Sequence, residues 1–212
     1  MKGRTIGCTL TIAALLGAVI AIFWHQQLQY LTPTTVPDDY VPVPEGAQLS
    51  LPFLSDTISQ PIFLHFFNPD CPCSQFNQDH FRQVVRQYRT QANFYVIVQN
   101  DTEKEVHQDL KVTVVTDDGQ IADACGVYAT PQAVILNADR TLYYRGNYNK
   151  ARYCTTRTTR FAELALQSAI EQQPLPLAIK QAGLPYGCNL PSDQLPNPSA
   201  ENIFSVVINN MF

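Results

Sequence analysis

The sequence predicts an α/β protein, a sandwich with parallel central strands, carried behind a membrane-spanning helix. Three observations predict it. Short apolar runs of strand length alternate with runs of helical period between Pro61 and Gln172. Their order is strand, helix, strand, helix, strand, helix, then a hairpin and a last helix, the pattern of an α/β layer architecture. Ahead of them, Thr5 to Trp24 holds no charged residue over about the length that a bilayer core requires. A length of 212 residues suits one well-buried domain with extensions, and 45% hydrophobic with 15% charged residues suits a globular chain.

Each element has its own signal. Lys2 and Arg4 precede the apolar run, so residues 1–4 are expected to stay cytoplasmic, 5–24 to form the anchor, and everything later to face outward. Trp24 and Tyr30 stand where an aromatic interface belt belongs. A cleaved secretory signal is the competing reading, but Ala18 to Ala21 offers no clean small-x-small site. Residues 25–48, with Pro33, Pro37, Pro42 and Pro44, read as a semi-extended spacer. Pro61 to Phe67 is a nearly continuous apolar run and reads as a buried central strand. Phe76, Phe81, Val84, Val85 and Tyr88 then follow at helical spacing, so a helix opens at or just after Cys71 and Cys73. The run NFYVIVQN predicts a second strand, Thr102 to Leu110 a polar helix, VTVVTDD a third strand, and Gly119 to Cys125 a short helix. QAVILN and TLYYRGN predict two strands joined through Ala138, Asp139 and Arg140. RTTRFAELALQSAIEQ predicts an amphipathic helix with Phe161, Leu164, Ala165 and Ile170 on one face, ended by Pro174. Residues 173–212 read as an extension, largely loop, ending in the apolar run FSVVIN.

Charge and cysteine usage narrow the function. A net charge of −4, with no basic stretch interleaved with aromatics, argues against a nucleic-acid partner. Of six cysteines, Cys8 lies inside the apolar segment and lacks the preceding apolar region that lipidation needs. The other five, Cys71, Cys73, Cys125, Cys154 and Cys188, fall in the exported part, where thiols tend to pair and five leave one odd. Cys125, on the buried side of a short helix, reads as an inert core thiol. Cys154 and Cys188 flank the last helix. A structural disulfide between them is the economical expectation; the alternative is that one of them resolves Cys71 or Cys73.

Three separated motifs then carry a resemblance. In HFFNPDCPC an apolar strand ends, a short turn follows, and Cys71 stands where a helix opens. In GVYATPQAVILN, Thr130-Pro131 precedes a strand, and NADRTLYYRGNYN forms a hairpin. Over residues 49–172 this resembles the thioredoxin superfamily, most nearly its membrane-anchored redoxin and TlpA-like members and an uncharacterised proteobacterial group with a cysteine-containing C-terminal extension. The resemblance implies a thioredoxin-like fold, a central mixed sheet flanked by helices. It places Cys71 at the nucleophilic position, where a helix N-terminus lowers a thiol pKa, and Thr130-Pro131 at the cis-proline position beside it. The chain also departs from the family. Ser74 holds the place of the second cysteine of a Cys-x-x-Cys pair, and Cys73 lies one residue nearer, so a Cys71–Cys73 disulfide would close a small, strained and readily reduced ring. His65 replaces the buried carboxylate six residues before Cys71.

The implied activity is a thiol-disulfide oxidoreductase without a cofactor, held in the inner membrane with its domain in the periplasm. Cys71 would attack, Cys73 would resolve, Thr130 and Pro131 would align the partner, and His65 would assist proton transfer. Its partners would be protein thiols or disulfides, or a membrane redox protein. Two other chemistries use the same fold. A thiol peroxidase wants Thr where Asn68 stands and Pro where Leu64 stands. A Cu(I) chaperone would join the thiolates with His65, His80 or His107.

Overall fold

The computed structural model describes residues 2–26, 33–55, 57–100, 109–150, 156–180 and 184–190. Helix α1 (Lys2–Gln26) contains Thr5–Trp24, a stretch long and apolar enough to cross a membrane, with mean hydropathy 2.4 and no part buried against the rest of the chain. Its Thr9 and Thr11 hydroxyls donate to the Thr5 and Gly7 carbonyls one turn back, at 2.6 and 3.0 Å, so their polarity is satisfied within the helix.

Five strands make the central sheet: β1 (Ile62–Phe66), β2 (Asn93–Val98), β3 (Thr113–Thr116), β5 (Gln132–Leu136) and β6 (Leu142–Gly146), in the order β3-β2-β1-β5-β6. Pairs β1·β2 and β2·β3 are parallel, whereas β1·β5 and β5·β6 are antiparallel. Helix α2 (Pro72–Tyr88) follows β1, α3 (Gln120–Cys125) follows β3, and α4 (Phe161–Ile170) follows β6. Strand alternation assigns the two faces. Phe63, Phe67, Phe94, Val96, Ala133 and Ile135 pack with α2 and α4. Ile62, Leu64, Phe66, Ile97, Val134 and Leu136 pack with α3 and with Leu49, Leu51 and Leu54. This is the mixed, helix-flanked sheet of a thioredoxin-like fold. Truncating a side chain such as Phe63 or Phe81, both fully buried, costs about 3–5 kcal/mol in cores of this kind.

Local chemistry sets the element ends. The buried Asp117 carboxylate accepts N–H bonds from Gly119, Ile121 and Ala122 at 3.0, 2.8 and 3.0 Å, which starts α3. Gly126, at φ 66°, ends it in the left-handed conformation. Pro131 separates the two-residue strand β4 (Ala129–Thr130) from β5.

Four expectations need adjustment. The helix expected over 102–110 lies, up to residue 108, outside the described residues. The final amphipathic run divides into a 3₁₀ turn, Arg157–Thr159, and α4, whose buried face is Phe161, Ala162, Ala165, Leu166 and Ala169, with Leu164 and Ile170 at its edge. The stretch read as a spacer lies on the domain from Pro33 onward: the Thr34 N–H donates to the Pro185 carbonyl (2.8 Å), Tyr40 Oη to the Gly126 carbonyl (3.0 Å) and the Gly46 N–H to the Leu142 carbonyl (2.7 Å). The extension, read as loop, contains α5 (Leu177–Lys180) and β7 (Cys188–Asn189).

His80 on α2 meets Glu163 on α4 at 3.2 Å. Burial lowers the His80 pKa from 6.5 despite the opposing pull of the carboxylate, so the contact is a hydrogen bond from a neutral imidazole. The unfolded chain therefore takes up this proton at a higher pH than the folded one. Stability from this site is complete above about pH 6.5 and falls as pH drops below it. His80→Gln keeps a donor for Glu163 but cannot titrate, so denaturant unfolding of the variant should lose less stability between about pH 7 and pH 5 than the parent does.

Candidate functional site

The turn after β1 is tied by its own side chains. The Asn68 carboxamide oxygen accepts the Asp70 N–H at 2.8 Å, its carbonyl accepts the Cys71 N–H at 3.1 Å, and its own N–H donates to Ser74 Oγ at 3.4 Å. These bonds set Cys71 as the N-cap of α2, at φ −85° and ψ 115°, with Pro72 in the first turn. No side-chain oxygen caps this terminus. The first-turn N–H groups and the positive end of the helix dipole are thus left to favour a thiolate at Cys71. Ser74, in the place of a second family cysteine, is fully buried and serves the turn.

Cys71 Sγ lies 3.4 Å from the Thr130 carbonyl oxygen, and the Thr130-Pro131 peptide bond is cis. Strand β7 is laid antiparallel on β4, with Cys188 in register with Thr130 and Asn189 with Ala129. The Leu190 N–H donates to the Tyr128 carbonyl at 2.9 Å. Cys188 and Cys71, 117 residues apart in sequence with Cα atoms 5.9 Å apart, form a disulfide. Upstream, Asn147 clamps the same segment: its Nδ2 donates to the Leu184 carbonyl (2.7 Å) and its Oδ1 accepts the Tyr186 N–H (3.3 Å). Gly187, at φ 130°, passes so close to Thr130 that an added Cβ would overlap the Thr130 carbonyl.

The structure therefore corrects the expected Cys154–Cys188 disulfide. A sulfur makes one such bond, and strand pairing delivers Cys188 to Cys71; Cys154 lies outside the described residues. Of the two pairings weighed for Cys188, the one that reaches the helix N-terminus forms. Cys73 carries no disulfide, so the small Cys71–Cys73 ring is not the bond present. Cys73 is buried and shares a small cluster with Cys71, Tyr186 and Cys188. Cys71, Cys73, Thr130 and Pro131 thus converge, whereas His65 sits in the aromatic core. Its Nδ1 shares a hydrogen bond with the Tyr148 hydroxyl, and its ring stacks on Phe81 with centroids 4.1 Å apart. Burial holds the Tyr148 phenol well above its ordinary pKa, so Tyr148 stays protonated. Burial also pushes the Cys125 thiol up to about 12, which makes it unreactive.

Sequence reasoning missed Asn147, Tyr186, Gly187 and strand β7. Two paired residues carry no periodicity, and the only local sign was a Gly-Cys step between Pro185 and Leu190. Asn68 and Leu64, the positions that matter to a peroxidase, are engaged in the turn and the core. Among the described residues no group of three or more His, Cys, Asp or Glu side chains could hold a metal ion; His107 lies outside them.

Asn147→Ala removes both clamp bonds, and buried hydrogen bonds of this kind contribute about 1 kcal/mol each. The Cys71–Cys188 bond should become roughly ten-fold or more easier to open in a glutathione redox titration, by the conversion of about 1.4 kcal/mol per decade. Iodoacetamide labelling of the folded protein should leave Cys125 unmodified.

Two solved structures agree with this architecture at TM-scores above 0.5. An uncharacterized conserved protein from Geobacillus kaustophilus superposes with a TM-score of 0.58 at 20% identity, over 74% of this chain and 97% of the other. A hypothetical protein from Sinorhizobium meliloti 1021 gives 0.52 at 16% identity, over 64% and 81%. A thiol:disulfide interchange protein of the thioredoxin family from Chlorobium tepidum TLS gives 0.46 at 12% identity, over 61% and 99%. No curated protein is significantly similar to the chain. The sequence profile described as "Domain of unknown function (DUF6436)" matches residues 43–189. That match spans more than half of the chain and includes Cys71, Cys73, Thr130, Pro131, Gly187 and Cys188, and the protein belongs to this family.

Proposed function

We propose that the protein is a membrane-tethered thiol-disulfide oxidoreductase in which Cys71 is the nucleophile and Cys188 its resolving partner. The observation that carries this reading is the disulfide between a helix N-cap cysteine and a strand laid beside the Thr130-Pro131 peptide. In the reduced protein the Cys71 thiolate attacks one sulfur of a partner disulfide. A Cys71–partner bond forms, and the partner's other cysteine leaves as a thiolate and takes up a proton. The Cys188 thiolate then attacks Cys71 Sγ and releases the partner as a dithiol. The partner has gained two electrons, and Cys71 and Cys188 have lost them. A dithiol is oxidised when one of its thiolates opens the Cys71–Cys188 bond to form a mixed disulfide, which its second thiolate then resolves, leaving Cys71 and Cys188 reduced.

The closed form opens from one side. Cys71 is fully buried, whereas Cys188 is only partly so. An incoming thiolate thus reaches Cys188 and expels Cys71, whose thiolate is the better stabilised leaving group. Thr130 aligns the segment that carries the second sulfur. Cys73, in the same cluster, is a third sulfur within the site, and no step of this sequence passes through His65. A disulfide at the centre of the site suits an oxidising compartment. It supports the reading of Thr5–Trp24 as a single-pass anchor with the domain on the periplasmic side of the inner membrane. Partners would then be exported proteins or a membrane redox protein.

Three variants of the full-length protein test the assignment. Cys71→Ser should abolish reduction of a protein disulfide. Cys188→Ser should accumulate mixed disulfides through Cys71, seen as reducible adducts on non-reducing gels. Cys73→Ser should turn over without trapping. Trapping by Cys73→Ser and none by Cys188→Ser would return the resolving role to Cys73. Full turnover by Cys71→Ser would remove the proposal altogether.

A further inference from the structure

The segment that closes over Cys71 also shows what kind of chain the groove accepts. Its pairing with β4 uses main-chain groups, which any polypeptide offers: Cys188 lies against Thr130, Asn189 against Ala129, and the Leu190 N–H bonds the Tyr128 carbonyl. Selectivity comes one residue earlier. Gly187 sits at φ 130°, a region that L side chains rarely adopt, and a Cβ there would overlap the Thr130 carbonyl oxygen and lie 2.8 Å from its carbon and 3.3 Å from Pro131 Cδ. Thr130 is fully buried and in register with Cys188, so its carbonyl lies directly against the backbone of this segment. One residue further back, Tyr186 is 6% exposed and packs on Cys71 and Cys73.

We infer that the site is selective for extended polypeptides whose reactive cysteine directly follows a glycine, with a large apolar or aromatic residue before that glycine. Residues 184–190 are then an internal occupant with the shape of such a partner, and they leave the groove when one enters. The inference rests on Cys71 being the exchanging cysteine, and the following experiment separates the two ideas.

Full-length protein carrying Gly187→Ala and Cys188→Ser, which removes both the fit and the sulfur of the internal segment, is reduced and mixed with two synthetic peptides. One has the sequence of residues 184–190, and the other has alanine in place of its glycine. Each carries its cysteine as a mixed disulfide with nitrothiobenzoate. Cys71 attacks the peptide sulfur, a Cys71–peptide bond forms, and nitrothiobenzoate leaves as a coloured thiolate whose release gives the rate. The glycine peptide should react about ten-fold or more faster than the alanine peptide, the penalty expected for forcing a side chain into such a backbone region. Cys188→Ser alone, with its backbone sequence otherwise unchanged, should give the same ranking at lower absolute rates, because the segment still competes. Equal rates for the two peptides, while the small symmetric nitrobenzoate disulfide still reacts with Cys71, would overturn the selectivity and leave the exchange chemistry standing. Failure of the small disulfide to react in both variants would overturn both.

Discussion

The site depends on one peptide group, the carbonyl of Thr130. Its oxygen lies 3.4 Å from Cys71 Sγ, its residue pairs with Cys188, and its bond to Pro131 is cis. It is also the atom that forbids a side chain at residue 187. A single main-chain position thereby sets how far the second sulfur stands from the helix N-terminus and which backbone can bring it there. The sheet supplies the rigidity. Thr130 is joined through Pro131 to β5, an interior strand between β1 and β6, and β1 leads into α2 on the other side of the site.

The covalent bond and the non-covalent contacts of the extension differ in strength. A disulfide that closes a loop of more than 100 residues restricts the unfolded chain by about 4–5 kcal/mol in the loop-entropy account. Without it, residues 184–190 are held by a two-residue strand pairing, the Asn147 clamp, the Thr34–Pro185 contact and the burial of Tyr186. Several of these are single hydrogen bonds, each a modest net contributor. Reduction leaves the segment to these non-covalent contacts alone. Cys71, Cys73 and Cys188 form their own small cluster with Tyr186, and of residues 184–190 Leu190 belongs to one of the two larger apolar clusters.

His65 shows how burial changes the meaning of a residue type. Its position, six residues before Cys71, invited a proton-transfer role. In the fold its ring is stacked on Phe81 and hydrogen-bonded to Tyr148, a buried polar pair inside an aromatic cluster. Such a pair rewards a defined core, because each partner satisfies a group that would be costly to leave alone. Asn77 and Asn149 form a similar pair nearby, at 2.9 Å.

Periodicity made most of the fold legible. Strands β2 and β6 and helices α2 and α4 are long enough for a repeat of two or of about 3.6 residues to show, while β1 and β5, buried throughout, show as short runs dominated by apolar side chains. The Cys71 half of the site was legible too, since Cys71 and Thr130-Pro131 are local motifs attached to those elements. The identity of the second sulfur was not. It depends on a contact across 117 residues between two strands of two residues each, made through backbone groups common to every sequence and permitted by the missing side chain of Gly187. The sequence alone determines the longer elements and where a thiolate is favoured; only the tertiary structure decides which of the remaining cysteines reaches it, because that choice is made by strand register and close backbone approach, neither of which leaves a periodic trace in the chain.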